Sequence, residues 1–315
     1  MARRKKSKKL NYSMISTAAV LLSAAILISI QTFTQIDMGI PTWHQILGIS
    51  QEETPSTQPE GEISVHFIDV GQGDCALIRC GDQNALIDAG ENNQYDEVLA
   101  YLEKEGITRL DIVIGTHGHS DHIGGLDKVI DGMEVGRVIL PDLPDKLVPT
   151  TKTYTDLLQS IANKGLSITA AKPGESYSLG TARMDILGPI GEYDDANDTS
   201  VVCRIVFGEV SFFFAGDATT KAEADLLASG RTLKSTVLKL SHHGSHTSNS
   251  MEFLQAIDPE YIAISVGEDT EYGHPHKEVM ERVEELDVPV WQTVLNGNIV
   301  FTSDGKTVTD VKADR

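Results

Sequence analysis

One succession of segments occurs twice along the chain, and it restricts the fold more than any other feature. An apolar hairpin, an aspartate at its end, a helix, a short apolar strand and a histidine motif follow one another in the same order. In the first half the hairpin is Cys75–Cys80 with Asn84–Asp88, turning at Gly81-Asp82; a helix follows over about Tyr95–Glu105, then the strand Leu110–Gly115, then His117-Gly118-His119-Ser120-Asp121-His122. In the second half Ser200–Phe207 and Val210–Ala215 turn at Gly208-Glu209 and end in Gly216-Asp217. A helix at about Thr219–Ala228 and the strand Ser235–Leu240 then lead to Ser241-His242-His243-Gly244-Ser245-His246. Strand runs alternating with amphipathic helices imply sheets with helices laid on them. Two such halves predict an α/β protein in four layers, αββα, with the two sheets packed face to face and the histidine motifs at the edge where strand ends converge.

The first motif carries chemistry. Successive side chains on an extended segment point to opposite faces, so His117 and His119 project to the same side and can hold one ion. Asp121 and His122 follow as the chain turns and can reach a second ion. Imidazole with carboxylate suits zinc, manganese or iron, whereas calcium takes an oxygen shell. Three histidines and an aspartate following a buried strand are more than a solvated turn needs. The segment His117-x-His119-x-Asp121-His122 resembles the signature of the metallo-β-lactamase superfamily.

Asp217 competes between two roles, a bridging ligand with one oxygen for each ion and an N-cap for the helix at Thr219; beside the histidine motif the ligand reading prevails. His243, directly before Gly244, is the expected ligand of its pair, as the single histidine is in related enzymes. His242 is expected to orient a ligand or hold the loop. Asp88, at a strand end, can face the site. His274, in Tyr272-Gly273-His274-Pro275, is a candidate to touch the substrate oxyanion or the leaving group, against the alternative of a surface histidine in a turn. His66 reads as a packed strand residue, His246 and His276 as weaker candidates.

Further segments narrow the resemblance. Phe67-Ile68-Asp69-Val70-Gly71-Gln72-Gly73-Asp74, Leu86–Gly90, His122–Gly125, Phe214–Asp217, Leu238–Ser245 and Tyr272–Pro275 are together similar to the soluble metallo-β-lactamase-like domain of ComEC-type competence proteins, over about Ile63–Thr302. The resemblance implies a metal-dependent hydrolase with two divalent ions, Zn2+ or Mn2+, held by His117, His119, Asp121, His122, Asp217 and His243. It also implies two departures. The multi-span channel region of ComEC proteins is absent, so a role in DNA uptake would require a competence-channel partner. Most of the superfamily supplies another histidine before the bridging aspartate, and none lies between His122 and Asp217. The ComEC-like group has an Asn/Ser segment there, which Asn197-Asp198-Thr199-Ser200 resembles; Asn197 and Ser200 are thus expected around the ligands or the substrate. The ion at His117 and His119 would then be held by fewer strong ligands, and could bind more weakly or accept manganese in place of zinc.

The reaction expected is hydrolysis of a phosphodiester by hydroxide held between the ions, with Asp121 orienting it and His274 assisting the departing oxygen. The substrate would be DNA or a cell-surface phosphodiester polymer. Hydrolysis of a lactam, lactone or thioester is the alternative within the same site chemistry, and an anchored binding protein with a degenerate site is the non-enzymatic one.

Charge and the chain ends add context. Six basic residues lie in Arg3–Lys9; setting them aside leaves 20 basic against 46 acidic residues, a net charge of −26. A domain so acidic repels polyanions on average, so tight non-specific nucleic-acid binding through charge is not expected, although a metal-loaded cleft could still accept a phosphodiester. Residues 1–13 read as a basic cytoplasmic tail and 14–33 as an uncleaved transmembrane anchor, since no small-residue cleavage site follows the apolar run. Residues 34–60 read as a polar linker and 61–315 as the hydrolase domain, placed outside the cytoplasm on a single-pass membrane protein, or secreted if the anchor is cut. Cys75, Cys80 and Cys203 are expected to be buried packing residues without a disulfide.

Overall fold

The computed structural model describes residues 61–268 and 272–315. The tail, anchor and linker expected over residues 1–60 lie outside them. Among the described residues no helix is long and apolar enough to cross a membrane.

The first half opens with the strands β1 (Ile63–Phe67), β2 (Ala76–Cys80) and β3 (Gln83–Ile87), followed by helix α1 (Tyr95–Lys104) and strand β4 (Arg109–Ile114). A four-residue helix, α2 (Ser120–Ile123), precedes α3 (Leu126–Gly132), β5 (Glu134–Leu140), α4 (Lys152–Asn163) and β6 (Ile168–Ala170). The second half holds β7 (Ser176–Leu179), β8 (Ala182–Gly188), β9 (Val202–Phe207), β10 (Val210–Phe214), α5 (Thr220–Ala228), β11 (Val237–Lys239), α6 (Met251–Ile257), β12 (Tyr261–Ile264) and α7 (Lys277–Glu284). It closes with β13 (Val290–Gln292), the short helix α8 (Thr293–Asn296), β14 (Ile299–Ser303) and β15 (Val308–Ala313).

Two sheets result. One has the order β15-β14-β1-β2-β3-β4-β5-β6, the other β13-β12-β11-β10-β9-β8-β7. The repeated succession is visible in the pairing: β3 runs parallel to β4 across α1, and β10 runs parallel to β11 across α5.

Alternation along each strand explains the layers. On β2, Ala76, Ile78 and Cys80 join the core between the sheets while Leu77 joins the core under the first half's helices. On β10, Val210, Phe212 and Phe214 face the other sheet and Phe213 faces α5–α7. Stacked Phe67 and Phe214, with ring centroids 5.8 Å apart, join the sheets at the middle. Val98 and Leu102 of α1 and Leu157 of α4 cover one outer face; Leu226, Phe253 and Val279 cover the other. The four-layer αββα sandwich expected from the sequence is therefore present. All three cysteines are buried and free, as expected.

Several expectations are corrected. The run Ile63–Val70 reads in sequence as one strand, but β1 ends at Phe67; Ile68 N still bonds Cys75 O in register, after which the chain turns through Gly71–Gly73. The strand β7 and the helix α6 were not expected. Asn296-Gly297 reads in sequence as a hairpin turn, but it ends α8 and carries the chain from one sheet to the other. β13 pairs parallel with β12, whereas β14 pairs antiparallel with β1, so these consecutive strands do not pair with one another.

Candidate metal centre

The loop after β4 begins with an anchored residue. Asp88, buried at the end of β3, accepts bonds from Thr116 N at 2.8 Å and Thr116 Oγ1 at 2.7 Å. From this fixed point the chain bends at His117 and Gly118 and is extended at His119. His117 Nε2 and His119 Nδ1 lie 3.0 Å apart. α2 then winds Asp121 and His122 towards the same centre. Asp88 Oδ2 lies 2.9 Å from His122 Nδ1, which fixes that nitrogen as the protonated one and leaves Nε2 facing inward, 3.1 Å from Asp217 Oδ1.

The second half contributes from two strand ends. Asp217 follows β10, and His243 follows β11 in a loop with unusual backbone angles: φ is +51° at His242 and +52° at His243. Left-handed backbone at non-glycine residues is strained and persists only where surrounding contacts impose it. Here Gly244 packs so closely on Pro275 that a Cβ would lie 2.6 Å from the proline Cβ. His243 Nδ1 donates to Ser265 O at 2.9 Å, so its Nε2 faces Asp121 Oδ2 at 3.3 Å and Asp217 Oδ1 at 3.7 Å.

Besides a group of Asp74, Asp88 and His122 on the Nδ1 side of that ring, where Asp88 already bonds it, two sets of ligand atoms reach the cleft, each lying within 4.8 Å of one another. Asp121, His122, Asp217 and His243 form one; His117, His119 and Asp217 form the other. Asp217 belongs to both, with Oδ1 near His122 and Oδ2 3.8 Å from His117 Nε2. His122 Nε2, His243 Nε2 and Asp217 Oδ1 are buried without a hydrogen-bond partner. Buried polar atoms are nearly always partnered, so convergent lone pairs of this kind fit a cation. The mixed nitrogen and oxygen donors suit a divalent transition metal.

Electrostatics agree. Burial opposes charge on His243, but Asp217 and Asp74 outweigh it and raise the imidazole to about 9. His122 is raised well above its ordinary value against burial by Asp217, Asp121 and Asp88. The same pairs hold Asp217 well below the usual carboxylate range despite its burial. His117 moves the other way, lowered by burial and by His122.

The structure brings the other expected residues to the same place with distinct roles. Asp88 touches His122 and no open space. His242 lies beside the cleft, its Nδ1 3.1 Å from Thr247 Oγ1 and its Nε2 3.5 Å from Asp217 Oδ2, outside both ligand sets. Ser200 Oγ accepts from Asp217 N at 3.1 Å and lies 3.4 Å from His117 Nδ1. Asn197 and His274 line a cleft of about 570 Å³ together with His119, Asp217, Gln72 and Tyr272. Burial, with His243 and His242 next in effect, lowers His274 to about 4, so its ring is neutral. His66 is packed, 2.8 Å from Tyr101 Oη, as read from sequence; His246 and His276 face each other with ring centroids 4.4 Å apart.

Two residues given no role from sequence prove central. Asp74, after the turn at Gly71–Gly73, lies 3.3 Å from His243 Nδ1 and 2.5 Å from Lys239 Nζ, and Lys239 is itself only 3% exposed. Gly73 permits this approach: a Cβ there would sit 2.2 Å from Asp121 O. A lysine within the apolar strand Val237–Lys239 was the available signal.

Comparison with known proteins agrees with this geometry. Residues 68–267 match the family model described as the metallo-beta-lactamase superfamily. ComE operon protein 3 of Bacillus subtilis is 28% identical over 266 residues, covering 78% of this chain and 34% of that protein. Competence protein ComA of Neisseria gonorrhoeae is 31% identical over 249 residues, covering 78% and 33%. The chain thus spans about a third of the length of these curated relatives. Among solved structures, YhfI from Bacillus subtilis, a metallo-beta-lactamase fold protein, superposes with a TM-score of 0.52 at 14% identity, covering 77% of this chain and all of that one. CmlA, a diiron beta-hydroxylase from Streptomyces venezuelae, gives 0.52 at 19% identity over 78% and 54%. These two likenesses concern the fold alone.

Proposed function

The chain belongs to the metallo-β-lactamase superfamily, and from that premise we propose that it is a metal-dependent phosphodiesterase related to the hydrolase domain of ComEC-type proteins. The observation that carries this reading is the sharing of Asp217 by two ligand sets at the floor of one cleft. Two divalent ions bound there would supply a water nucleophile at neutral pH and neutralise charge gathering on phosphoryl oxygens.

The chain's own residues do the rest. Asp88 and the Ser265 carbonyl hold His122 and His243 in the tautomer that offers Nε2 to an ion. Asp121 lines the cleft and is held ionised by His122 and His243 against the effect of burial, so it can accept a hydrogen bond from the attacking water and orient it. His274, neutral and on the cleft wall, offers an N–H to the departing oxygen. None of the described residues lining the cleft is lysine or arginine, which supports recognition of one diester at the ions rather than of a long polyanion track. The names of the relatives support a part in competence, with any channel supplied by another chain, and the basic and apolar N-terminal segments support display of the domain outside the cytoplasm on a membrane anchor.

The test uses metal-stripped protein reloaded with zinc or manganese and assayed on bis-p-nitrophenyl phosphate and on labelled single- and double-stranded DNA. Cleavage that disappears in His119→Ala is expected. Turnover of chromogenic lactams or esters in its place would overturn the proposal. His274→Ala should slow diester cleavage about 100-fold with the ion content unchanged.

A further inference from the structure

The two ligand sets differ in one respect. Asp121, His122, Asp217 and His243 give one ion two nitrogens and two carboxylates, whereas His117, His119 and Asp217 give the other only three ligands. Beside the poorer set, Asn197 carries a buried Oδ1 that has no hydrogen-bond partner. We propose that the Asn197 side-chain oxygen is a ligand of the ion held by His117 and His119.

The local backbone explains why this oxygen is spare. Asn197 lies in a one-turn 3-10 helix, Asn197–Thr199, whose main chain and neighbouring side chains hold it in place. Its N–H donates to Asp195 Oδ1 at 2.9 Å, and its carbonyl accepts from Ser200 Oγ at 2.6 Å and Ser200 N at 3.1 Å. The next residue, Asp198, is buried and accepts from Thr219 N at 3.0 Å and Thr219 Oγ1 at 2.6 Å, tying the turn to the start of α5. Ser200 Oγ in turn touches both Asp217 N and His117 Nδ1, so the turn is fastened to two members of the poorer ligand set. The side-chain Oδ1 has no hydrogen-bond partner, and Asn197 lines the cleft with His119 and Asp217.

A buried acceptor without a donor is destabilising, and a divalent cation satisfies it. With Asn197 added, each ion has two imidazoles, the shared Asp217 and one terminal oxygen. That oxygen is anionic for one ion, from Asp121, and neutral for the other, from Asn197. The ion at His117 and His119 therefore keeps more of its positive charge and polarises what it binds more strongly. This assignment rests on the two-ion reading of the cluster and is independent of which bond the protein cleaves.

The experiment titrates the metal-stripped full-length chain with Mn2+ and reads free ion by electron paramagnetic resonance, for the unaltered protein, Asn197→Ala and Asn197→Asp. Two ions should bind the unaltered chain. Asn197→Ala should weaken one of them by about tenfold or more and leave the other within about twofold. Asn197→Asp should restore or tighten the weakened ion. Because Oδ1 has no protein partner, metal-free Asn197→Ala should melt no lower than the unaltered chain. Binding of both ions by Asn197→Ala at unaltered affinity would overturn the assignment, leaving the oxygen to substrate or water; equal weakening of both would overturn it also. Failure to cleave diesters by a chain that binds two ions as described would sink the proposed function instead.

Discussion

Asp88 and Asp217 occupy the same position in the two halves, each at the end of a hairpin's second strand and each ahead of a helix, yet they do opposite work. Both are buried. The carboxylate of Asp88 is filled by the Thr116 backbone and hydroxyl and by His122 Nδ1; burial dominates and raises its pKa. Asp217 has one oxygen with no hydrogen bond and imidazoles around it that hold it strongly ionised. What separates them is the partner offered by the next strand's loop. Thr116 turns its N–H and hydroxyl back on the carboxylate of the first aspartate, while the left-handed loop at His242 and His243 gives its N–H to Gly216 O and presents imidazoles to the carboxylate of the second. A position in a repeat sets where a carboxylate sits, and the facing loop sets what it can bind.

That contrast can be broken by experiment. The largest effect should come from Asp217→Ala, which removes a ligand from both sets: diester cleavage should fall by about 1000-fold or more, with at least one ion lost in elemental analysis. Asp88→Ala should leave both ions bound but weaken one by about 10- to 100-fold, because it releases only the orientation of His122. If it emptied both sites as Asp217→Ala does, the two aspartates would not differ as described.

The dependence on pH sharpens the same point. In metal-stripped protein His243 is raised from 6.5 to about 9, and His122 upwards too. A raised folded pKa contributes stability that is fully present below the unfolded value near 6.5 and is lost as pH rises through about 9. The melting temperature of stripped protein should therefore fall across that interval, while its affinity for metal rises as protons leave the two imidazoles. Flat profiles would show that neither imidazole is charged. The smallest effect tests the competing role of Asp217. Thr219, not Asp217, caps α5, accepting from Lys221 N at 3.3 Å, so Thr219→Ala should cost about 1 kcal/mol in denaturant unfolding with ion affinities unchanged.

Much of the centre was legible because its ligands lie close together in sequence at strand ends. His117, His119, Asp121 and His122 span six positions, and period-2 geometry alone pairs the first two. Asp217 and His243 followed from the repeated succession. Contacts between distant segments were not legible in this way. Asp74 meets Lys239 across 165 positions, and no local pattern marks a carboxylate for a buried amine. The Asn296-Gly297 turn failed for a related reason: turn chemistry reports a change of direction, not which sheet the next strand joins. Helix α6 was missed because a seven-residue segment offers too short a period, although Ser250 caps it by accepting from Phe253 N at 3.3 Å.

The contact between Asp74 and Lys239 has a meaning for assembly. The acid comes from the loop after β1 in one sheet and the amine from β11 in the other, and each is buried. A lone buried charge is far more costly than a matched pair. Halves docked a residue out of step would strand both charges in an apolar layer, whereas the correct alignment neutralises them together and sets Asp74 beside His243. By this reasoning the pair favours the alignment in which the candidate ligands of the two halves meet.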